Sequence, residues 1–166
     1  IKALFPDCLI VIPFRDPLQH AMSLLNQHRN FLTLHQHNTF AKYYMAAIGH
    51  YDFVANLKPI NFNDWFFDTP STPDSLSFWL EYWIQTFQYL MQSDCESYLF
   101  VNFDKLCKSP HLSLAKLAER LLLEPHDLSS LVSTIRLPKI YDVDRQPVKP
   151  EDIEKSHKLY QQLQCI

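Results

Sequence analysis

The sequence is almost free of glycine, since Gly49 is the only one among 166 residues. Phosphate-binding loops and dinucleotide fingerprints need glycines where the backbone approaches the phosphate. The chain therefore contains no glycine-rich loop of either type. Any phosphate that it binds must be held by side chains and helix ends.

Three other features are also absent from the sequence: a long apolar run, an excess of positive charge, and cysteines or histidines at metal-ligand spacing. No apolar run approaches the length of a membrane span, which excludes a transmembrane segment. The formal net charge is −3, which argues against a non-specific nucleic-acid binder. No two cysteines form a C-x-x-C pair, and the His35-x-His37 pair lacks supporting ligands, so we expect no metal site. The four cysteines are expected to be buried free thiols: Cys8, Cys95, Cys107 and Cys165.

The composition is that of a folded domain. Hydrophobic residues make up 47% of the chain and aromatic residues 14%, which is enough for a core in a single domain spanning residues 1–166. The first residues lack the basic region and long apolar segment of a signal peptide. We therefore expect a cytoplasmic location. The first residue is not methionine, and we also expect an upstream portion before Ile1.

Two short apolar runs predict buried strands, LIVIPF at residues 9–14 and YLFVNF at 98–103. After the first run, Asp16 is a suitable N-cap and Pro17 suits the first position of a helix. Leu18, Ala21, Met22 and Leu25 would form its core-facing stripe.

Further helices follow from capping residues and apolar spacing. Asn38 or Thr39 would cap a second helix that ends at Gly49. Other helices are predicted to open at Thr72-Pro73, at Ser109-Pro110, after an Asp127 cap, and near Pro150. The predicted buried face of the second helix is Phe40, Tyr43, Tyr44 and Ala47.

Strands separated by helices predict an α/β domain with a parallel sheet. Two strands are too few for a stable sheet alone. We expect further strands, either hidden in the loops or contributed by the upstream portion.

Arg15 follows the first strand directly, where parallel sheets bind their ligands. Its guanidinium offers a planar fork of donors suited to a phosphate or sulfate. Ser23 shares one polar line of the helix with Asp16, His20 and Gln27, so Arg15 and Ser23 are candidates to hold one anion. Alternatively, the Arg-Asp-Pro is only a helix cap with a surface charge. For His20, which lies near this site, we expect an exposed position on the polar face of the helix, and the alternative is a supporting contact to the site.

Residues 10–28, IVIPFRDPLQHAMSLLNQH, resemble the 3′-phosphate-binding segment of sulfotransferases that use 3′-phosphoadenosine 5′-phosphosulfate (PAPS). That family has a hydrophobic strand, Arg-Asp-Pro or Arg-Asn-Pro, and a Ser eight residues after the Arg. Residues 98–125 resemble a later strand, turn and Pro-led helix of the family, with Asp104 where Glu is usual. The segments IGHYDF and HRNF are similar to bacterial members.

The resemblance implies a P-loop NTPase-like sulfotransferase fold, of which this chain is the helix-rich C-terminal portion with a small parallel sheet. It implies that Arg15 and Ser23 bind the 3′-phosphate of PAPS, the co-substrate, and that the acceptor is a hydroxyl or an amine. The family's 5′-phosphosulfate loop and its catalytic base have no counterpart here, so the catalytic residues are unassigned and this portion alone is expected to be inactive. The alternative is a non-catalytic helical interaction module that retains the sulfotransferase architecture. A nucleotide-kinase relative is disfavoured because the chain lacks a glycine-rich loop.

Overall fold

A computed structural model describes residues 3–93, 96, 98–124 and 126–166. Its described residues form a helix-rich α/β structure with one two-stranded parallel sheet. Cys95 lies outside the described residues. Of the other cysteines, Cys107 is buried, Cys8 is half-buried and Cys165 is exposed, so the expectation of buried thiols is confirmed only for Cys107.

The sheet pairs β1 (Ile10–Phe14) with β2 (Tyr98–Asn102) in parallel, with Ile10 opposite Tyr98 and Phe14 opposite Asn102. Both strands lie where the apolar runs predict them. Because the strands are parallel and in register, both carboxyl ends lie at the same edge, which places residues 15–16 beside residues 103–104.

Helix α1 (Pro17–His37) follows β1 as predicted, with Asp16 as N-cap and Pro17 at the first turn. The Asp16 carboxylate accepts a hydrogen bond of 2.9 Å from the backbone N–H of Gln19. Leu18, Ala21 and Leu25 are buried, so this helix directs its stripe into the core.

Helix α4 (Leu76–Gln92) is the centre of the core. It starts at Leu76 with Ser75 as N-cap, whereas Thr72 and Pro73 belong to the preceding turn. Its largest buried side chains belong to Phe78, Trp79, Leu80, Trp83, Ile84 and Phe87, and they pack against α1 and α7 (Pro150–Leu163). Burial of so much aromatic surface in one helix is the main apolar contribution to this fold.

Helix α2 (Thr39–Ala47) has its predicted N-cap, Asn38, and Gly49 follows it with a φ of +73°, but its predicted buried face is wrong. The predicted apolar stripe points outward: Phe40, Tyr43 and Tyr44 are 76%, 68% and 54% exposed. Periodicity identifies an apolar stripe but not what the stripe faces. The face that α2 turns to the core depends on the direction in which the chain leaves Asn38, between α1 and α2.

Residues 52–71 are irregular, as predicted, and contain short 3₁₀ turns (Val54–Asn56 and Phe62–Asp64) and α3 (Trp65–Asp68). Two hydrogen bonds fasten this segment to the core. The Val54 N–H donates to His28 Nδ1 at 3.1 Å, and the Ile60 N–H donates to the Tyr82 hydroxyl oxygen on α4 at 3.1 Å.

After β2 the chain forms α5 (Phe103–Lys108), which the sequence analysis missed, and then α6 (Pro110–Arg120). The helix predicted after Asp127 is instead a 3₁₀ turn (Ser129–Thr134) without buried residues. Asp127 Oδ2 accepts from the Glu124 N–H, so its carboxylate bonds backward rather than capping a following helix. Helix α7 begins at Pro150 as predicted. Among the described residues, no helix is both long enough and apolar enough to cross a lipid bilayer.

Candidate anion site at the carboxyl edge of the sheet

The candidate site lies where the two strands end and α1 and α5 begin. Arg15 leaves β1 and Asp104 lies in the first turn after β2, so the parallel register brings their side chains together. Asp104 Oδ1 is 3.7 Å from Arg15 Nε, and both side chains are largely buried, at 12% and 18% exposure. The ion pair is therefore poorly screened by solvent.

Asp104 also holds the backbone of the Arg-Asp-Pro turn. Its Oδ2 accepts a hydrogen bond of 2.8 Å from the Asp16 N–H and lies 3.4 Å from the Tyr160 hydroxyl, which donates to it. Asn102 Nδ2 donates to the same hydroxyl oxygen at 3.1 Å. Asp104 thus connects the end of β1, the end of β2 and α7, which fixes the point from which Arg15 projects.

The Arg15 guanidinium lies near an aromatic ring and a backbone carbonyl. Its Cζ lies 5.9 Å from the centre of the Phe103 ring, and its Nη2 donates to the Lys139 carbonyl at 3.4 Å. Nε is buried and makes no hydrogen bond within the described part of the chain. A buried guanidinium with incompletely satisfied donors is suited to an additional acceptor.

A segment without regular secondary structure, residues 137–141, crosses the site, and we call it the strap. Gln19 pairs with it in both directions: Gln19 Nε2 donates to the Tyr141 carbonyl at 2.9 Å, and the Tyr141 N–H donates to Gln19 Oε1 at 2.8 Å. With the Arg15 bond to Lys139, these contacts fasten the strap to the start of α1.

His20 lies close enough to Arg15 and Asp104 to interact with both charges. Burial, and secondarily the Arg15 cation, lower the pKa of His20 to about 4, while the Asp104 carboxylate opposes this shift. His20 Nδ1 is buried without a hydrogen-bond partner among the described residues. The expectation of an exposed His20 is therefore wrong: the histidine is a half-buried member of the site and is neutral at neutral pH.

Ser23 lies on α1 and is half-buried, one helical turn beyond Gln19. Residues four apart on a helix share a face, so Ser23 continues the face that carries Gln19. Ser23 is not among the residues that line the cleft around Arg15. The structure thus places Arg15 in the cleft and Ser23 at the neighbouring turn, without joining them by a direct contact.

The cleft beside Arg15 has a volume of about 540 Å³. It is within the range of pockets that bind small molecules. Its charged groups balance, with Arg15 and Lys108 against Asp16 and Asp104, and its far wall is apolar. The lining residues are Arg15, Asp16, Gln19, Asp104, Lys108, Leu137, Pro138, Ile140 and Tyr160.

A second cleft, of about 360 Å³, has the opposite character. Its charged lining consists of Asp68, Glu81, Asp152 and Lys149. Burial, and then the Glu81 carboxylate, raise the pKa of Asp152. Such a surface repels an anion, so the Arg15 cleft is the better candidate for one.

Sequence reasoning missed the residues around Arg15 that set its geometry. Asp104 follows a strand just as Arg15 does, and that shared position was the available signal. Gln19 and the strap lie 122 residues apart, so no local pattern could pair them. Within the described part of the chain, no cluster of three or more His, Cys, Asp or Glu side chains is placed to hold a metal ion. Comparison with family models, curated proteins and solved structures finds no match to this chain.

Proposed function

We propose that the chain is the C-terminal part of a PAPS-dependent sulfotransferase and that Arg15 and Ser23 bind the 3′-phosphate of the donor. The observation that carries this proposal is the position of Arg15. It is a largely buried guanidinium at the carboxyl end of a parallel strand, beside a helix start and facing a cleft of about 540 Å³.

The contacts of Arg15 support an anion site more than a simple surface charge. A surface arginine would extend into solvent, whereas this side chain is held by Asp104 and packed near Phe103. Asp104 in turn fixes the Asp16 backbone. A pre-positioned guanidinium binds a phosphate with less loss of side-chain freedom than a mobile one.

In the proposed reaction, the acceptor oxygen or nitrogen forms a bond to sulfur while the bond from sulfur to the 5′-phosphate oxygen breaks. A base takes the acceptor proton, and the product nucleotide is 3′-phosphoadenosine 5′-phosphate. Charge spreads over the transferred group, much as in phosphoryl transfer, so positioning and electrostatic stabilisation dominate catalysis. Arg15 and Ser23 would act away from the sulfur, by fixing the nucleotide so that its reacting end is held in line.

The proposal assigns the 5′-phosphosulfate loop and the catalytic base to chain beyond these 166 residues, within a P-loop NTPase-like sheet. Two observations support it: the sequence has a single glycine, and the sheet formed by the described residues has two strands. A two-stranded parallel sheet is less stable than one with neighbouring strands. In this proposal, the protein works in the cytoplasm on a hydroxyl or amine acceptor.

The second candidate is a non-catalytic interaction module with the same architecture. One observation favours it: Arg15 already has internal partners in the Asp104 carboxylate and the Lys139 carbonyl. In that case Arg15 would only join the ends of the strands to the strap. The two candidates differ in whether the cleft has affinity for the nucleotide.

Calorimetric titration with 3′-phosphoadenosine 5′-phosphate separates them. We expect Arg15→Ala to lose about 1.5–3 kcal/mol of binding free energy, and Ser23→Ala about 0.5–1.5 kcal/mol, the ranges for charged and neutral hydrogen bonds. The matched control is Arg29→Ala, because Arg29 is an arginine on α1 that is exposed and donates to the Asp74 carbonyl away from the cleft. Equal affinities of the wild type and Arg15→Ala would remove Arg15 from the site, and absence of binding by all four proteins would favour the interaction module.

A further inference from the structure

Helix α2 carries an apolar stripe that the rest of the described structure leaves uncovered. Positions 40, 43, 44, 47 and 48 follow the spacing of one helical face. Phe40, Tyr43, Tyr44 and Ile48 are 76%, 68%, 54% and 58% exposed. An apolar face of this kind on a protein surface commonly marks an interaction site.

The fold does not need this stripe for its own packing. Helix α2 rests on α1 through its other side, where Ala41, Met45 and Ala46 are half-buried. The Met45 sulfur lies 3.4 Å from His35 Nε2, which keeps that side turned toward α1. The aromatic side chains are thus directed outward by the packing of the opposite face.

The stripe is also uncharged, and two of its rings are stacked. The Phe40 and Tyr44 rings are stacked, with centroids 5.8 Å apart and planes 20° apart. Lys42 is the only charged residue of α2, and it lies off the stripe, lining a cleft with His35. Uncharged aromatic surface is typical of the central part of protein interfaces.

We propose that this stripe is a self-association surface, on which α2 of one copy packs against α2 of a second copy around a two-fold axis. A two-fold contact uses the same patch on both copies and so needs no separate complementary surface. Because the stripe has no charge, the two copies meet there without opposing like charges.

The available area agrees with a weak dimer. An aromatic side chain offers about 150–250 Å², so the exposed fractions of Phe40, Tyr43 and Tyr44 correspond to roughly 400 Å² per copy. Pairing two copies would bury roughly 800 Å² of aromatic surface. Ile48, which is 58% exposed, adds to this area, and a contact below the ~1,200 Å² at the lower end of specific interfaces predicts a weak dimer.

A membrane surface fits the same stripe less well. Interfacial helices combine their apolar face with several cations that attract anionic lipids. Helix α2 has only Lys42, and the chain has a formal net charge of −3. The charges therefore disfavour a membrane surface, and the uncharged stripe is better matched by a second copy of itself.

Sedimentation equilibrium over micromolar to submillimolar concentrations tests the proposal. The wild type is expected to show a reversible monomer–dimer equilibrium. Tyr43→Lys would weaken it at least about tenfold, because two-fold symmetry brings the introduced charges into one desolvated patch. Phe40→Ser is a second variant that removes apolar area without adding charge. Leu112→Lys is the control, since Leu112 is 59% exposed on α6, away from the stripe.

Circular dichroism first establishes that each variant keeps the helical content of the wild type. A wild type that stays monomeric throughout the range would overturn the proposal, as would a dimer that Tyr43→Lys and Phe40→Ser leave unchanged. A monomer that binds phosphatidylglycerol vesicles, with binding lost in Phe40→Ser, would also overturn the proposal. None of these results depends on nucleotide binding.

Discussion

At the scale of single residues, the site contains an ion pair and a neutral histidine that are all partly removed from solvent. Arg15 and Asp104 form an ion pair that also fixes the Asp16 backbone. His20 lies beside them without a partner for its buried Nδ1. Protonation of His20 would therefore bring a second cation close to Arg15 in a poorly hydrated place, which makes this histidine a source of acid sensitivity.

The sign of that sensitivity follows from the lowered pKa. Between pH 6.5 and about pH 4, an unfolded chain binds a proton at His20 that the folded chain does not. The contribution of neutral His20 to the free energy of unfolding is therefore fully present above pH 6.5. It declines as the pH falls, by about 3 kcal/mol in total once the pH is below 4.

We predict that His20→Gln, which cannot be protonated, is more stable relative to wild type at pH 5 than at pH 7.5, by about 1–2 kcal/mol. Urea unfolding at the two pH values measures the difference. His126→Gln is the control because the His126 side chain is 80% exposed. If both variants show the same pH dependence relative to wild type, the assigned environment of His20 is wrong.

The residue types of the site were predictable, but their surroundings were not. Arg15 was predicted because a charged residue directly follows a buried strand, and Ser23 was predicted from its spacing on the helix. The burial of His20 beside Asp104, which follows the other strand, is revealed by no pattern around residue 20. The family resemblance supplied the phosphate role of Arg15 and Ser23, and that role stays a prediction.

At the scale of elements, local signals located most helices but not their packing. The Asp16-Pro17 start of α1 and the Pro150 start of α7 were predicted because caps act within one turn. The outward orientation of the apolar face of α2 was not predicted, because the same stripe is suited to a core or to an interface. Helix α5 was missed because its six residues are too few to show a clear period.

The strap is the element whose behaviour is most directly testable. Gln19 holds it by two hydrogen bonds, and Arg15 by one longer bond. We predict that Gln19→Ala increases the rate of tryptic cleavage after Lys139 roughly fivefold, because the loss of about 1 kcal/mol of attachment raises the population of the open strap.

Mass spectrometry of timed digests gives this rate for Lys139 and for cuts elsewhere in the chain. Gln27→Ala is a matched control, since Gln27 is an exposed glutamine on the same helix. Unchanged cleavage after Lys139 in Gln19→Ala would mean that other contacts hold the strap. If the nucleotide binds in the cleft, it slows the same cleavage in the wild type.

At the scale of the whole molecule, the chain joins a large aromatic core to a very small sheet. The α/β class and the parallel pairing were predicted from the order of strands and helices, and both are confirmed. The wider sheet of a P-loop NTPase-like fold stays a proposal, because two strands do not distinguish one α/β fold from another.

A crystal structure of this chain with 3′-phosphoadenosine 5′-phosphate would test the central claim most directly. The account predicts the 3′-phosphate in the Arg15 cleft, within hydrogen-bond distance of both the Arg15 guanidinium and the Ser23 hydroxyl, with the bond from Arg15 to the Lys139 carbonyl replaced. A nucleotide bound elsewhere, or one in the cleft whose 3′-phosphate touches neither side chain, would contradict it.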